Sequence, residues 1–170
     1  MITLKTESEL VKMRRAGKIV ADVIMMLKDL IMPGITTMEL DEKFEAFIRN
    51  HGAIPSEKGY RVPGIPTPFP ASICASINNE VVHGIPSIKR VLQQGDIVSI
   101  DVMACYEGYH GDAAFTYPVS EVSSEKQRLM DVTRESLSKG IAKAKSGNTV
   151  GDIGHTIEDY VTSAGFGIVR

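Results

Sequence analysis

The chain repeats itself, and the repeat constrains its fold more than any other feature. At an offset of 113 positions Gly34 pairs with Gly147, Thr36 with Thr149, Glu39 with Asp152, Leu40 with Ile153 and Phe44 with Ile157. Glu45 pairs with Glu158, Phe47 with Tyr160, Ile48 with Val161 and Gly52 with Gly165. Each pair does one job in the same order: helix stop, N-cap, capping-box acid, buried stripe, second stop. Apolar spacing alone arises by chance on amphipathic helices; a shared order of turn, cap, stripe and stop does not arise so easily. The pattern implies an internal duplication, with a first repeat over about 8–120 and the start of a second over about 121–170. The first copy runs on from its second helix into a loop, strands and a hairpin. The second ends where its first strand would begin. The expectation is a single incomplete domain, 1–170, whose second repeat is truncated.

Local signals give the elements. Thr6 to Glu9 read as a capping box, followed by an amphipathic helix with Leu10, Met13, Ile19, Val20, Val23, Ile24, Leu27, Leu30 and Ile31 on its stripe, stopped at Pro33-Gly34. Thr36 with Glu39 opens a second helix that closes at Asn50-His51-Gly52. Ala53 to Pro70 is rich in proline, which fixes φ and removes a ladder donor, so a loop is expected there. Ser72 to Ile77 and Val81-Val82 are β-prone; Ile97 to Cys105 and His110 to Val119 form a hairpin about Glu107-Gly108. Ser124 with Gln127 is expected to cap a third helix, with Leu129, Val132, Leu137, Ile141 and Ala144 inward. Thr149 with Asp152 caps a fourth, which Gly165 ends, and Phe166 to Arg170 begin an extended run.

Composition narrows the function. A net charge of -2, with Lys and Arg scattered, excludes a general affinity for nucleic acid or anionic membrane. No segment has the apolar length of a membrane span, and the N-terminus lacks the apolar stretch of a leader. Cys74 and Cys105 make no disulfide framework and are expected to be reduced thiols in a cytoplasmic protein.

Asp101 is the sharpest chemical feature, because it interrupts the apolar run Ile97-Val98-Ser99-Ile100-Asp101-Val102-Met103. An unpaired buried carboxylate is costly. A two-residue turn at Glu107-Gly108 sets Tyr106 opposite Tyr109, Met103 opposite Asp112 and Asp101 opposite Ala114. Asp101 and Asp112 then share a face as diagonal neighbours, roughly 7–8 Å apart at Cα. Two such carboxylates repel unless a cation or proton lies between them, and oxygen ligands suit a divalent metal. The plain alternatives are exposed turn-edge acids, or one protonated structural acid. His83, before Gly84 in a loop, could hydrogen-bond, move a proton or bind metal, or serve only structure. His51, His110 and His155 read as structural. There is no nucleophile elbow, phosphate loop or His-Glu-x-x-His.

Taken together, Ser76-Ile77-Asn78-Asn79-Glu80-Val81-Val82-His83-Gly84-Ile85-Pro86, Gly95-Asp96-Ile97-Val98-Ser99-Ile100-Asp101 and Gly108-Tyr109-His110-Gly111-Asp112 resemble type I methionine aminopeptidases. Met13-Arg14-Arg15-Ala16-Gly17 and Gly165-Phe166-Gly167-Ile168-Val169-Arg170 fit the same family. The resemblance implies an α+β pita-bread (creatinase/aminopeptidase) fold of pseudo-twofold helix-helix-strand repeats. It implies two divalent ions of the cobalt, manganese, iron or zinc type, with Asp101 and Asp112 as ligands. His83 would contact the substrate and help protonate the reacting amide, and Tyr60, Phe69 and Cys74 would line a methionine side-chain pocket. The reaction implied is removal of the initiator methionine from nascent chains near the ribosome by a monomeric enzyme, with neither nucleic acid nor membrane as a direct partner. The family's remaining ligands, a His and two Glu, would lie beyond position 170, so the chain alone is expected to be inactive, to bind metal weakly and to self-associate. Arg61 to Pro68 lengthen the link between Tyr60 and Phe69. The rivals are a prolidase or aminopeptidase P relative, a non-catalytic pita-bread binding protein, and an inert fragment.

Overall fold

A computed structural model describes residues 3–169. Two compact units result, one ending at Glu121 and the other beginning at Val122. In the first, helices α1 (Glu7–Leu30) and α2 (Thr37–Asn50) accompany four strands, β1 (Ile54–Pro55), β2 (Ile73–Ile77), β3 (Ile97–Tyr106) and β4 (Tyr109–Pro118). In the second, α3 (Ser124–Lys143) and α4 (Val150–Ser163) pair.

The caps work as local chemistry dictates. Thr6, Thr36 and Thr149 each accept from the backbone N–H three residues on, and Glu9, Glu39 and Asp152 return the bond to the cap N–H. The N-cap of α3 is Ser123 bonding Lys126 N–H, one residue before the expected Ser124. Two adjacent serines made that boundary ambiguous.

β3 is the spine of the sheet. β1 and β2 lie in succession along one of its edges and β4 runs the length of the other, all antiparallel. Alternation along β3 sends Val98, Ile100, Val102 and Ala104 into a core with Ile19, Val23 and Leu27 of α1 and Leu40, Phe44 and Ile48 of α2. Ser99, Asp101, Met103 and Cys105 point to the opposite face, where they are half-buried. Burial of such a layer is the main favourable term in folding.

Two expectations about faces fail. Met13 is 37% exposed, and Ala16 is fully buried in its place. The reason is close approach: a Cβ at Gly111 of β4 would lie 2.6 Å from the Ala16 backbone, so helix and strand meet there through small residues. On α3, Leu129, Leu137 and Ile141 are exposed, and the buried residues are Ser136 and Gly140. A Cβ at Gly140 would press on Ile157 at 2.7 Å, so α4 rides on a ridge of small residues rather than on the leucine stripe. Val81 and Val82 form no strand and are exposed. Residues 166–169 are irregular.

Candidate active site

The hairpin register is the one that the turn implies. Asp101 is opposite Ala114 on β4 and Cys74 on β2, and Met103 is opposite Asp112. Cys74, Asp101 and Asp112 therefore occupy the side of the sheet away from the core. The positive φ of Glu107 and Gly108 makes the two-residue turn that holds this spacing. Burial raises the Asp101 carboxyl pKa, the Asp112 charge raises it further, and His83 draws it down. Asp101 thus senses both the Asp112 charge and His83.

His83 is placed by its loop. Its own φ is 59°, a left-handed conformation uncommon for a residue with a side chain. Gly84 N–H donates to Ser76 Oγ (3.1 Å), and Ala75 N–H donates to the Gly84 carbonyl (2.8 Å). A Cβ at Gly84 would overlap the Ala75 carbonyl oxygen, so only glycine lets the loop lie against β2. Farther on, Arg90 donates to the Ile85 carbonyl at 2.7 Å and pairs with Glu80.

A cavity of about 610 Å³ opens beside these residues, in the size range of small-molecule sites. Tyr60, Phe69, Cys74, His83 and Asp101 all line it; Asp112 is not among the lining residues. Burial, with lesser contributions from Asp101 and Glu57, pushes the Cys74 thiol up to about 12. Cys74 is a neutral wall and not a nucleophile at neutral pH. The Arg61–Pro68 insertion does not separate Tyr60 from Phe69. Phe69 N–H donates to the Tyr60 carbonyl (2.8 Å) and Gly59 N–H to the Phe69 carbonyl (2.9 Å), which pinches the inserted segment into a loop. That loop adds Val62 and Ile65 to the cavity wall.

Two titratable lining residues, His110 and Glu57, are not marked as site residues by the sequence. His110, which reads as structural in the sequence, lines the cavity and hydrogen-bonds Ser56 Oγ through Nδ1 at 3.0 Å. Glu57 lies in the proline-rich stretch, where no spacing marks it. Its Oε2 is buried without a hydrogen-bond partner, and burial raises its pKa to about 8. Each cysteine is a free thiol. No helix among the described residues is long and apolar enough to cross a membrane.

The donor set at Asp101 and Asp112 suits a hard divalent cation, and two like charges on one face are relieved by a cation or a proton. Among the described residues no group of three or more His, Cys, Asp or Glu converges to hold a metal. The carboxylate pair is thus compatible with a metal but does not by itself close a shell.

Helices laid over an antiparallel sheet, followed by a further helix pair, make this the α+β pita-bread build, present in part. The chain belongs to metallopeptidase family M24, whose model matches residues 11–170. It is 51% identical over its whole length to a methionine aminopeptidase of Clostridium acetobutylicum and to methionine aminopeptidase 1 of Bacillus subtilis. It spans 66% of the length of each. Among solved structures, the methionine aminopeptidase of Rickettsia prowazekii superposes with a TM-score of 0.94 at 39% identity, over 100% of this chain and 66% of that one.

Proposed function

We propose that this chain carries part of a two-metal site for removing the N-terminal methionine from nascent proteins in the cytoplasm. The observation that carries the reading is the shared face: Asp101 and Asp112 on adjacent strands, with His83 lining the same cavity as Asp101. Asp101 and Asp112 would be among the residues that hold two divalent ions. When bound, such ions polarise the first peptide carbonyl and make water nucleophilic at neutral pH.

Other residues of this chain take further parts in the reaction. Tyr60, Phe69 and Cys74 take up the methionine side chain, an apolar and polarizable group suited to an apolar cavity. His83 hydrogen-bonds the reacting amide and gives the leaving nitrogen its proton. Its loop is stitched to β2, so it can be held in place rather than ordered on binding. The substrates are peptides with a free N-terminal methionine, met as nascent chains at the ribosome; neither nucleic acid nor membrane is a direct partner.

The test has two arms. Calorimetry with manganese or cobalt on this chain should show at most feeble binding, because two carboxylates make an incomplete shell, and Asp112→Asn should abolish it. Methionine release from a Met-Ala-Ser peptide should be negligible for residues 1–170. It should appear when the chain is extended to the full length of its relatives, with Asp101→Ala as the inactive control. Tight binding of two ions by the monomeric chain, or family-level turnover by it, would overturn the reading.

A further inference from the structure

Glu57 is the group that the proposed mechanism leaves unused. Its backbone is fixed by the sheet: Pro55 is opposite Ala104, Ser56 N–H donates to the Met103 carbonyl (3.1 Å), and Tyr60 N–H donates to the Glu57 carbonyl (2.9 Å). Its side chain lines a mostly apolar cavity together with Phe69, Cys74, Ile85 and Met103, and with Asp101, His83 and His110 in the same wall. Its Oε2 is buried with no hydrogen-bond partner. A buried polar atom left unpaired costs free energy, and a bound group that pairs with it recovers that cost.

The chemistry of the surround selects the partner. A side chain entering this cavity must be apolar along most of its length to suit the walls. To answer Glu57 it must also offer a hydrogen-bonding atom. The Glu57 Oε2, buried and unpaired at the wall, offers an O–H to such an atom when the carboxyl holds its proton. The thioether of methionine is a weak acceptor inside an unbranched apolar chain. Norleucine has the same shape with a methylene in place of sulfur, and nothing to accept with.

We infer that Glu57 is a specificity-determining residue. Its unpaired Oε2, in the wall of the mostly apolar cavity, hydrogen-bonds the methionine sulfur and ranks methionine above norleucine. This rests on the reading of the cavity as the substrate side-chain pocket. It goes beyond that reading in assigning the discrimination to one acid.

The experiment is direct binding of methioninol and norleucinol to the chain, followed by NMR at pH 6.5, for wild type, Glu57→Gln and Glu57→Leu. Wild type should favour methioninol by roughly threefold to tenfold, the range of one net hydrogen bond. Glu57→Gln keeps a donor and should retain the preference; Glu57→Leu should lose it while still binding both ligands. An unchanged preference in a folded Glu57→Leu would overturn the role of Glu57 and leave the pocket reading standing. If neither ligand moves the resonances of Cys74 or Met103 in wild type, the pocket reading fails and this inference falls with it.

Discussion

Replacing Gly84 by alanine isolates what holds His83. The new Cβ would overlap the Ala75 carbonyl oxygen, and would lie 2.7 Å from the Ala75 carbon and 2.9 Å from Ser76 Cα. β2 cannot retreat, because Ala75 is fully buried and paired to Ile100 of β3. The loop must therefore move by about 1 Å to restore an ordinary carbon–carbon separation of about 3.5 Å. That movement stretches both stitches, Ala75 N–H to the Gly84 carbonyl at 2.8 Å and Gly84 N–H to Ser76 Oγ at 3.1 Å. At about 1 kcal/mol net for each bond, the loss is about 2 kcal/mol, and nearer 3 kcal/mol if the Ala75 N–H stays buried and unpaired. In the role proposed for His83 the effect on the full-length enzyme should be larger, since a misplacement of about 1 Å in a catalytic group can cost about 100-fold in rate. Urea unfolding followed by circular dichroism should give the stability change. The imidazole NMR signals should show His83 displaced while His51 and His155 stay put. If stability falls by less than about 0.5 kcal/mol and the His83 signals do not move, the loop is not pinned at Gly84 and this account of how His83 is placed is wrong.

Other expectations are equally open to measurement. Asp41→Ala should cost about 2–4 kcal/mol in urea unfolding, because Asp41 Oδ1 is the acceptor for the buried N–H groups of Ser72 (2.7 Å) and Ile73 (2.9 Å). Gly111→Ala should destabilise by about 1–3 kcal/mol or more, since its Cβ would strike the α1 backbone at Ala16; a neutral result would mean that α1 sits farther from β4 than described. Lys58, Arg49 and Ser72 hold the Glu45 pKa down at about 2, below its ordinary 4.5. A depressed carboxylate contributes stability in full above pH 4.5 and loses it as pH falls toward 2, so melting temperature should drop across that window, and less steeply in Glu45→Gln.

What was legible in the sequence was what short-range chemistry decides. The caps at Thr6, Thr36 and Thr149 need only three residues of context. The hairpin register needs only a turn and an alternation, and it put Asp101 opposite Ala114 before any tertiary contact was known. The hidden features depend on contacts between distant segments. Gly140 and Ser136, not Leu137 and Ile141, face α4, because a small-residue ridge admits Ile157 and apolar periodicity cannot see a neighbour's shape. Val81 and Val82 have strand-like side chains, but the loop that binds back to β2 through Gly84 leaves them in solvent. Glu57 and His110 become parts of the cavity wall only because β1 joins β3 and Ser56 reaches His110.

The turn at Glu107-Gly108 makes the hairpin a ruler that counts in twos. Inserting or deleting one residue between Met103 and Asp112 would bring Asp112 opposite Val102 or Ala104, whose side chains face the core, and would turn the carboxylate away from Asp101. Changes by two would restore the face but slide the acid along it. The Arg61–Pro68 loop obeys no such count, because its ends are clipped together at Tyr60 and Phe69 whatever lies between them. One chain thus holds a segment whose length is free beside one whose length is quantised, and the proposed metal ligands sit on the second.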